Sequence, residues 1–242
     1  MDFTKGSLLY EGKAKKIYET NHADVVLVEY KDSATAFNGE KKATITGKSR
    51  LNNMISSLLF SELKRSNISS HFVEQVSETE QLVQKVEIIP IEVVVRNIVA
   101  GSLSKRLGIE EGTALKKPII EFYYKDDQLG DPFINEAHIE ELSLATDAQL
   151  LFIKREAFKV NDVLKRYFKE KDIELVDFKL EFGTSDQGEV LLADEISPDT
   201  CRLWDVTTGE KLDKDVFRRE IGSLTEAYQK LLDRIRGEVN HG

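Results

Sequence analysis

What is scarce in this chain narrows it before any motif is read. One cysteine, Cys201, occurs in 242 residues, so no internal disulfide can form and a reducing cytoplasm is the expected setting. Four prolines and 14 glycines leave no Pro/Ser-rich linker, no collagen-like repeat and no low-complexity tract. The most apolar stretch, Ile88 to Val95, is short and contains Pro90 and Glu92, against the roughly 20 apolar residues of a spanning helix; no membrane association is expected. Met1 to Gly12 carries Asp2, Lys5 and Glu11 without an apolar segment, so no secretory signal is expected. Positive charge is in deficit. With 34 Lys and Arg against 43 Asp and Glu, the net charge of -9 disfavours binding to nucleic acid, and an anionic ligand must find a local basic pocket.

What is present is an ordinary globular balance, 32% charged and 40% hydrophobic, at a length equal to about 1.6 typical domains. Short strands are predicted at Leu8 to Tyr10, Lys16 to Glu19 and Val25 to Tyr30, separated by turn residues. Over about 41–65, Leu51, Met54, Ile55, Leu58, Leu59 and Leu63 form the stripe of an amphipathic helix. Strands are expected at about 71–76, 81–87, 91–100 and 119–124, and a short helix at Ser102. A long helix should run from Asp147, as its N-cap, to about Lys171. A hairpin and a last helix over about 213–235 complete the chain. Strands crowd the first hundred residues and helices the rest, which predicts an α+β protein. Two lobes with a cleft between them fit that order.

Four segments carry the chemistry. In Leu175 to Gly183, period two puts Val176, Phe178, Leu180 and Phe182 on one face and Asp177, Lys179 and Glu181 on the other; a half-buried strand with a solvated, salt-bridged face suits the same pattern. The next strand ends in Asp194-Glu195. A two-residue turn at Gln187-Gly188 would set Asp194 opposite Glu181, and like charges about 4.5–5.5 Å apart repel unless a cation lies between them. A hard divalent ion such as Mg²⁺ is the usual remedy; two acids splayed into water are the alternative. Glu11-Gly12-Lys13-Ala14-Lys15-Lys16 joins two strands and could bring N–H groups and ammonium charge to a polyphosphate, although basic hairpin turns are common. In Pro90 to Arg106, Glu92 and Arg96 share a strand face that feeds a helix start at Ser102, an anion site with Lys105 and Arg106 nearby, or else a Glu92–Arg96 salt bridge beside an ordinary cap. Arg202 suits bidentate recognition of phosphate or carboxylate. None of His22, His71, His138 or His241 shows ligand spacing with another His or Cys, and no nucleophile elbow is present.

Together these segments resemble the SAICAR synthetase (phosphoribosylaminoimidazole-succinocarboxamide synthase) family nearly end to end. The resemblance rests on Ile89-Pro90-Ile91-Glu92-Val93-Val94-Val95-Arg96 continuing through Gly101-Ser102 to Gly108, and on Leu175 to Gly183. It also rests on Tyr10 to Lys15, on Asp194-Glu195-Ile196-Ser197-Pro198-Asp199, and on Arg202-Leu203-Trp204-Asp205. It implies an ATP-dependent ligase of purine biosynthesis that joins L-aspartate to the carboxylate of carboxyaminoimidazole ribonucleotide (CAIR), through an acyl phosphate. The implied fold is two-lobed with antiparallel sheets and an ATP cleft like those of kinases and ATP-grasp enzymes. Residues 1–87 would form a nucleotide-binding lobe and 88–242 a lobe with metal and substrate sites, in a homodimer or higher homo-oligomer.

The same resemblance assigns roles. Lys13, Ala14 and Lys15 contact the triphosphate, Glu181 and Asp194 hold Mg²⁺, and Lys179 adds charge beside the nucleotide. Val83-Gln84-Lys85-Val86 reads adenine, with Ile17 and Ile88 as apolar walls. Arg96, Ser102 and Arg202 grip the ribonucleotide, Asp177 and Asp199 orient it, and Lys125 and Asp131 serve the incoming amino acid or transferred phosphate. One departure is Asn38, where many relatives carry aspartate. A kinase on a related fold would share the lysines and acids but should contain a His-Arg-Asp-like loop, which is missing; a nucleotide-binding module without turnover is the other alternative.

Overall fold

The computed structural model describes residues 2–36 and 39–237; Asn38 lies outside them. The first three strands, β1 (Lys5–Glu11), β2 (Lys15–Thr20) and β3 (Val25–Tyr30), form where expected. Strands β4 (Ser33–Ala36) and β5 (Lys41–Thr44) pair with each other, so helix α1 (Lys48–Arg65) starts later than its predicted residue 41. Gly47, left-handed at φ 87°, sits at its cap. Strands β6 (Phe72–Gln75) and β7 (Glu80–Gln84) complete a five-stranded antiparallel sheet in the order β1-β2-β3-β7-β6. Its two faces bury Val25, Leu27 and Leu82 on one side and Val26, Val28 and Tyr30 on the other.

The strand expected over 81–87 is two strands. β7 ends at Gln84, the chain crosses at Lys85-Val86, and β8 (Glu87–Ile88) joins the second sheet. That sheet is built on β12 (Ile173–Thr184), which pairs with β9 (Ile91–Ile98), β8, β13 (Val190–Ala193) and β14 (Cys201–Asp205). Strand β10 (Ala114–Tyr124) pairs with β9 and with β11 (Phe133–Ile134). β10 is longer than its predicted 119–124. Its irregularity against β9 between Ala114 and Ile119 contains Pro118, which has no N–H to give to a ladder.

Helix α2 (Ser102–Leu107) starts as predicted, and α3 (Glu136–Glu141) precedes the long α4 (Asp147–Lys169). Thr146, not Asp147, is the α4 N-cap: its hydroxyl accepts from the Gln149 N–H while the Gln149 side chain returns the bond, a reciprocal cap that Asp147 one residue later cannot make. The predicted last helix is divided into α5 (Asp215–Arg219) and α6 (Leu224–Arg236) by Glu220, left-handed at φ 57°, and the Ser223 cap. One large core joins α1, α4 and α6 to the second sheet through Leu59, Phe60, Leu164, Phe168, Tyr228 and Leu231, each such side chain contributing about 1.5–3 kcal/mol of burial.

Strand β12 departs from strict alternation. A bulge against β14 between Leu175 and Asp177 brings Leu175 into the helix-covered core with Phe178, Leu180 and Phe182. The opposite face is not solvated, as a surface strand would have it: Asp177 and Glu181 are 4% and 3% exposed. Burial of charge at this level requires partners, and they define the site.

Candidate active site

Asp194 does not stand opposite Glu181. Glu181 pairs with Ala193, one residue out of the expected register, because Asp186-Gln187-Gly188 make a three-residue loop with Gly188 at φ 79°. A one-residue slip within a strand sends a side chain to the other face. Here Asp194 lies beyond the strand end at φ 57°, a backbone turn that aspartate tolerates, and its carboxylate shares an electrostatic neighbourhood with Glu181. Lys179 Nζ bonds Glu181 at 2.7 Å and Glu92 at 2.8 Å, and Lys125 lies 3.2 Å from Glu181. Lys15, from the N-terminal hairpin, reaches Asp194 at 2.5 Å and Glu195 at 2.9 Å. Burial pushes the Asp194 carboxyl up, but Lys15 and Lys179 outweigh it and hold that carboxyl well below the usual range. Burial likewise works against the Lys179 ammonium, and Glu181, Glu92 and Asp194 override it, raising its pKa.

A second cluster lies on the same sheet. The ladder sets Asp177 directly beside Arg96 on β9 and Arg202 on β14, so register alone flanks one acid with two guanidinium groups. Arg96 Nη1 donates to Asp177 at 2.9 Å, Nε to Glu121 at 2.7 Å, and Nη2 to Ser102 Oγ at 3.0 Å and Tyr123 Oη at 3.2 Å. The alternative Glu92–Arg96 bridge is therefore not formed: Glu92 is taken by Lys179. Arg202 donates to Asp177 at 2.9 Å through Nη1 and to Asp215 at 3.0 Å through Nε. A Cβ at position 101 would lie 2.5 Å from Arg202 Nη2, and Gly101 has φ 54°, so only glycine admits the fork there.

Asp199 is gripped by cations that sequence reasoning missed. Lys48, fully buried, approaches it to 2.7 Å, Lys214 to 3.3 Å, and the Tyr228 hydroxyl donates at 2.6 Å. Burial raises the Asp199 carboxyl, and Lys48 and Lys214 more than reverse that shift. The missed residues, Glu121, Lys48, Lys214, Asp215 and Tyr228, are charged or polar groups that belong to no recognisable motif. Only Glu121, alone among the apolar residues of Ile119 to Tyr124, left a local sign in the sequence.

A cleft of about 360 Å³ is lined by Lys13, Ala14, Arg96, Asp177, Lys179, Asp199 and Arg202 among the predicted residues. Glu181 adjoins it through its bond to Lys179, while Asp194, whose charge Lys179 feels, and Lys15 pair with each other outside that lining. Lys13 itself pairs with Asp127 at 2.7 Å, and Asp131 accepts from the Asp126 N–H. Ile17 packs on the small sheet, and Ile88 is 36% exposed. In the crossing segment, the Gln84 and Lys85 amides already donate to the His71 and Asp24 carbonyls at 2.6 and 2.7 Å. Val86 packs so close to Gly183 that a Cβ there would lie 2.6 Å from it. Cys201 also borders the cleft, but burial pushes its thiol up, the opposite of what a nucleophile requires.

Lysine–carboxylate pairs at one side and a braced arginine fork at the other thus flank one cleft where two antiparallel sheets meet. The chain belongs to the SAICAR synthetase family: the family's sequence model, described as SAICAR synthetase, matches residues 8–235. It is 65% identical over 96% of its length to the phosphoribosylaminoimidazole-succinocarboxamide synthase of Anoxybacillus flavithermus, of which 97% is covered. The crystal structure of that synthase from Ehrlichia chaffeensis superimposes with a TM-score of 0.93 at 47% identity, covering 97% of this chain and 100% of the other. A SAICAR synthetase in complex with ADP gives 0.92 at 49% identity, covering 96% and 99%.

Proposed function

We propose that this cleft carries out the reaction of the family. The chain is an ATP-dependent ligase of de novo purine biosynthesis that joins L-aspartate to the CAIR carboxylate and yields SAICAR, ADP and phosphate. The observation that carries this reading is the pairing of Lys15 with Asp194 and Glu195, which unites the basic hairpin with the acid-bearing strand. A relative described in complex with ADP supports nucleotide binding by this fold.

A carboxylate is a poor acyl donor. Transfer of the γ-phosphoryl group to a CAIR carboxylate oxygen, with ADP leaving, gives an acyl phosphate. The aspartate amine then attacks the acyl carbon, phosphate departs, and the amine loses a proton. Such transfer needs positioning and charge neutralisation more than a protein nucleophile. Lys13, Lys15 and the Ala14 backbone serve the triphosphate, and Lys179 balances charge beside it. Lys85-Val86 offer adenine the backbone groups left after Gln84 and Lys85 spend their N–H groups internally, with Ile17 and Ile88 as walls. Arg202 and Ser102 grip the ribonucleotide, with Arg96 bracing both Ser102 and Asp177. Asp177 and Asp199 orient it, and Lys125 and Asp131 attend the aspartate.

Mg²⁺ suits the donor set. Glu181 and Asp194 offer hard oxygens, and among the described residues no trio of acidic, His or Cys side chains makes a closed metal cage, so phosphate oxygens and water would complete the shell, as this ion favours. Bound there, it neutralises charge on the transferring phosphoryl group. Two lobes, 1–87 and 88–242, belong to the same reading, as does a homodimer or higher homo-oligomer. The edge of β1, which pairs with no further strand among the described residues and exposes Leu8, Leu9 and Tyr10, supports association because such an edge is a template for pairing. A cytoplasmic location suits the lone buried thiol.

The test is turnover of ATP with each substrate omitted in turn. SAICAR should form only when ATP, CAIR and aspartate are all present; ADP release to a hydroxyl acceptor without aspartate would favour a kinase, and ADP binding without turnover a binding module.

A further inference from the structure

His71 stands at the joint between the two sheets. Its backbone N–H donates to the Leu192 carbonyl of β13 at 2.8 Å, and its own carbonyl accepts from Gln84 at 2.6 Å. Its neighbour Ser70 forms a bridge with Leu192. The ring, 5% exposed, lies 5.6 Å from Phe60 of α1, which fixes its plane. Its Nε2 is 3.1 Å from the Asp194 carbonyl oxygen. A carbonyl only accepts, so Nε2 carries the hydrogen.

That carbonyl belongs to the peptide unit between Asp194 and Glu195. Holding it fixes ψ of Asp194 and restrains φ of Glu195, the two residues whose carboxylates meet Lys15. Asp194 is at φ 57°, a left-handed turn that aspartate tolerates without preferring it, so a hydrogen bond on its carbonyl selects that conformation. We infer that His71 is a positioning residue: its ring N–H locks the Asp194–Glu195 peptide, holds both carboxylates on Lys15 beside the cleft, and ties that placement to the Gln84-Lys85-Val86 crossing. The inference rests on the reading of Asp194 as a ligand of the nucleotide-bound Mg²⁺.

The test is titration calorimetry of ADP into the full chain with MgCl₂ or with EDTA, on wild type and on His71→Phe, His71→Gln, His71→Asn and Asp194→Asn. Phe keeps the ring packing and loses the donor; Gln places an N–H where Nε2 was; Asn is a methylene too short to reach. Asp194→Asn should abolish the tightening of ADP by Mg²⁺. His71→Phe and His71→Asn should weaken Mg²⁺-supported ADP binding roughly tenfold, the value of one buried hydrogen bond, and leave binding in EDTA unchanged. Gln should recover affinity to within about threefold by the same arithmetic. In turnover, His71→Phe and His71→Asn should lower kcat with little effect on the KM for CAIR. Should the Phe variant not fold, the Gln and Asn pair decides alone. Equal affinity for the Gln and Asn variants, or wild-type affinity for the Phe variant, overturns the inference provided Asp194→Asn has lost its Mg²⁺ response. If Asp194→Asn keeps that response, the metal reading itself has failed.

Discussion

The two charged walls of the cleft hold their charges in different ways. On the wall between the sheets, lysine ammonium groups serve the acids: Lys179 is shared by Glu92 and Glu181, and Lys15 by Asp194 and Glu195. On the second wall, guanidinium forks run in an alternating chain from Glu121 through Arg96, Asp177 and Arg202 to Asp215. A lysine is a compact charge on a flexible stem, able to exchange a carboxylate for a phosphate, whereas a bidentate arginine is preorganised and loses little entropy when held. Under the proposed function, the first wall is the one that would exchange partners around a polyphosphate. The second is arranged to stay still and orient what binds.

Substitutions on the two walls should therefore fail differently. Removing an acid from the mobile wall should give the largest effect. Glu181→Gln should cut turnover roughly 10²- to 10⁴-fold, the several kcal/mol that metal-borne charge stabilisation supplies, with native circular dichroism and a smaller Tm drop than on the rigid wall, because Lys179 keeps Glu92. Wild-type turnover would remove Glu181 from the metal site. On the rigid wall, Asp177→Asn should damage the fold. It strips one carboxylate from the buried Arg96 and the half-buried Arg202, a loss of about 3–5 kcal/mol, read as a Tm drop on the order of 10 °C for a chain of this size. An unchanged Tm would mean that Glu121 and Asp215 suffice to hold the arginines.

Smaller changes sharpen the contrast. Arg202→Lys replaces a fork by a point charge and should raise the CAIR KM roughly tenfold, one charge-assisted hydrogen bond, with the ATP KM unchanged; a change in the ATP KM alone would move Arg202 to the nucleotide side. The smallest effect concerns Asp213, beneath Arg202. Burial and the neighbouring Asp215 push its carboxyl up to about 7, above its unfolded value, so the stability it confers is present in acid and is lost as pH rises from about 4 through about 7. Denaturant titrations across that window should show the decline in wild type and less of it in Asp213→Asn. Identical pH profiles for the two proteins would locate the dependence elsewhere.

Several parts of this arrangement were legible in the residues. The strands of the first sheet, the long helix with its apolar stripe, and the acids of Leu175 to Gly183 followed from periodicity, because burying one face demands that period whatever packs against it. Lys13 and Lys15 followed from a basic turn. The register that sets Ala193, not the expected Asp194, opposite Glu181 did not, because the difference between a two- and a three-residue loop rests on the left-handed backbone at Gly188. The division of the last helix at Glu220 was hidden for the same reason, since nothing in its side chain requires φ 57°. His71, Lys48 and Tyr228 act through partners more than a hundred, or almost thirty, positions away, and no local pattern marks them.

The sequence by itself determined the α+β class, the family and the inventory of charges, since these depend on composition, local periodicity and short motifs. Only the tertiary structure decided which charges meet. Ladder register put Asp177 between Arg96 and Arg202 and set Ala193, not Asp194, opposite Glu181, while Lys15 from the N-terminal hairpin met Asp194. Both depend on contacts between distant segments, where one residue of slip moves a side chain from one face of a sheet to the other.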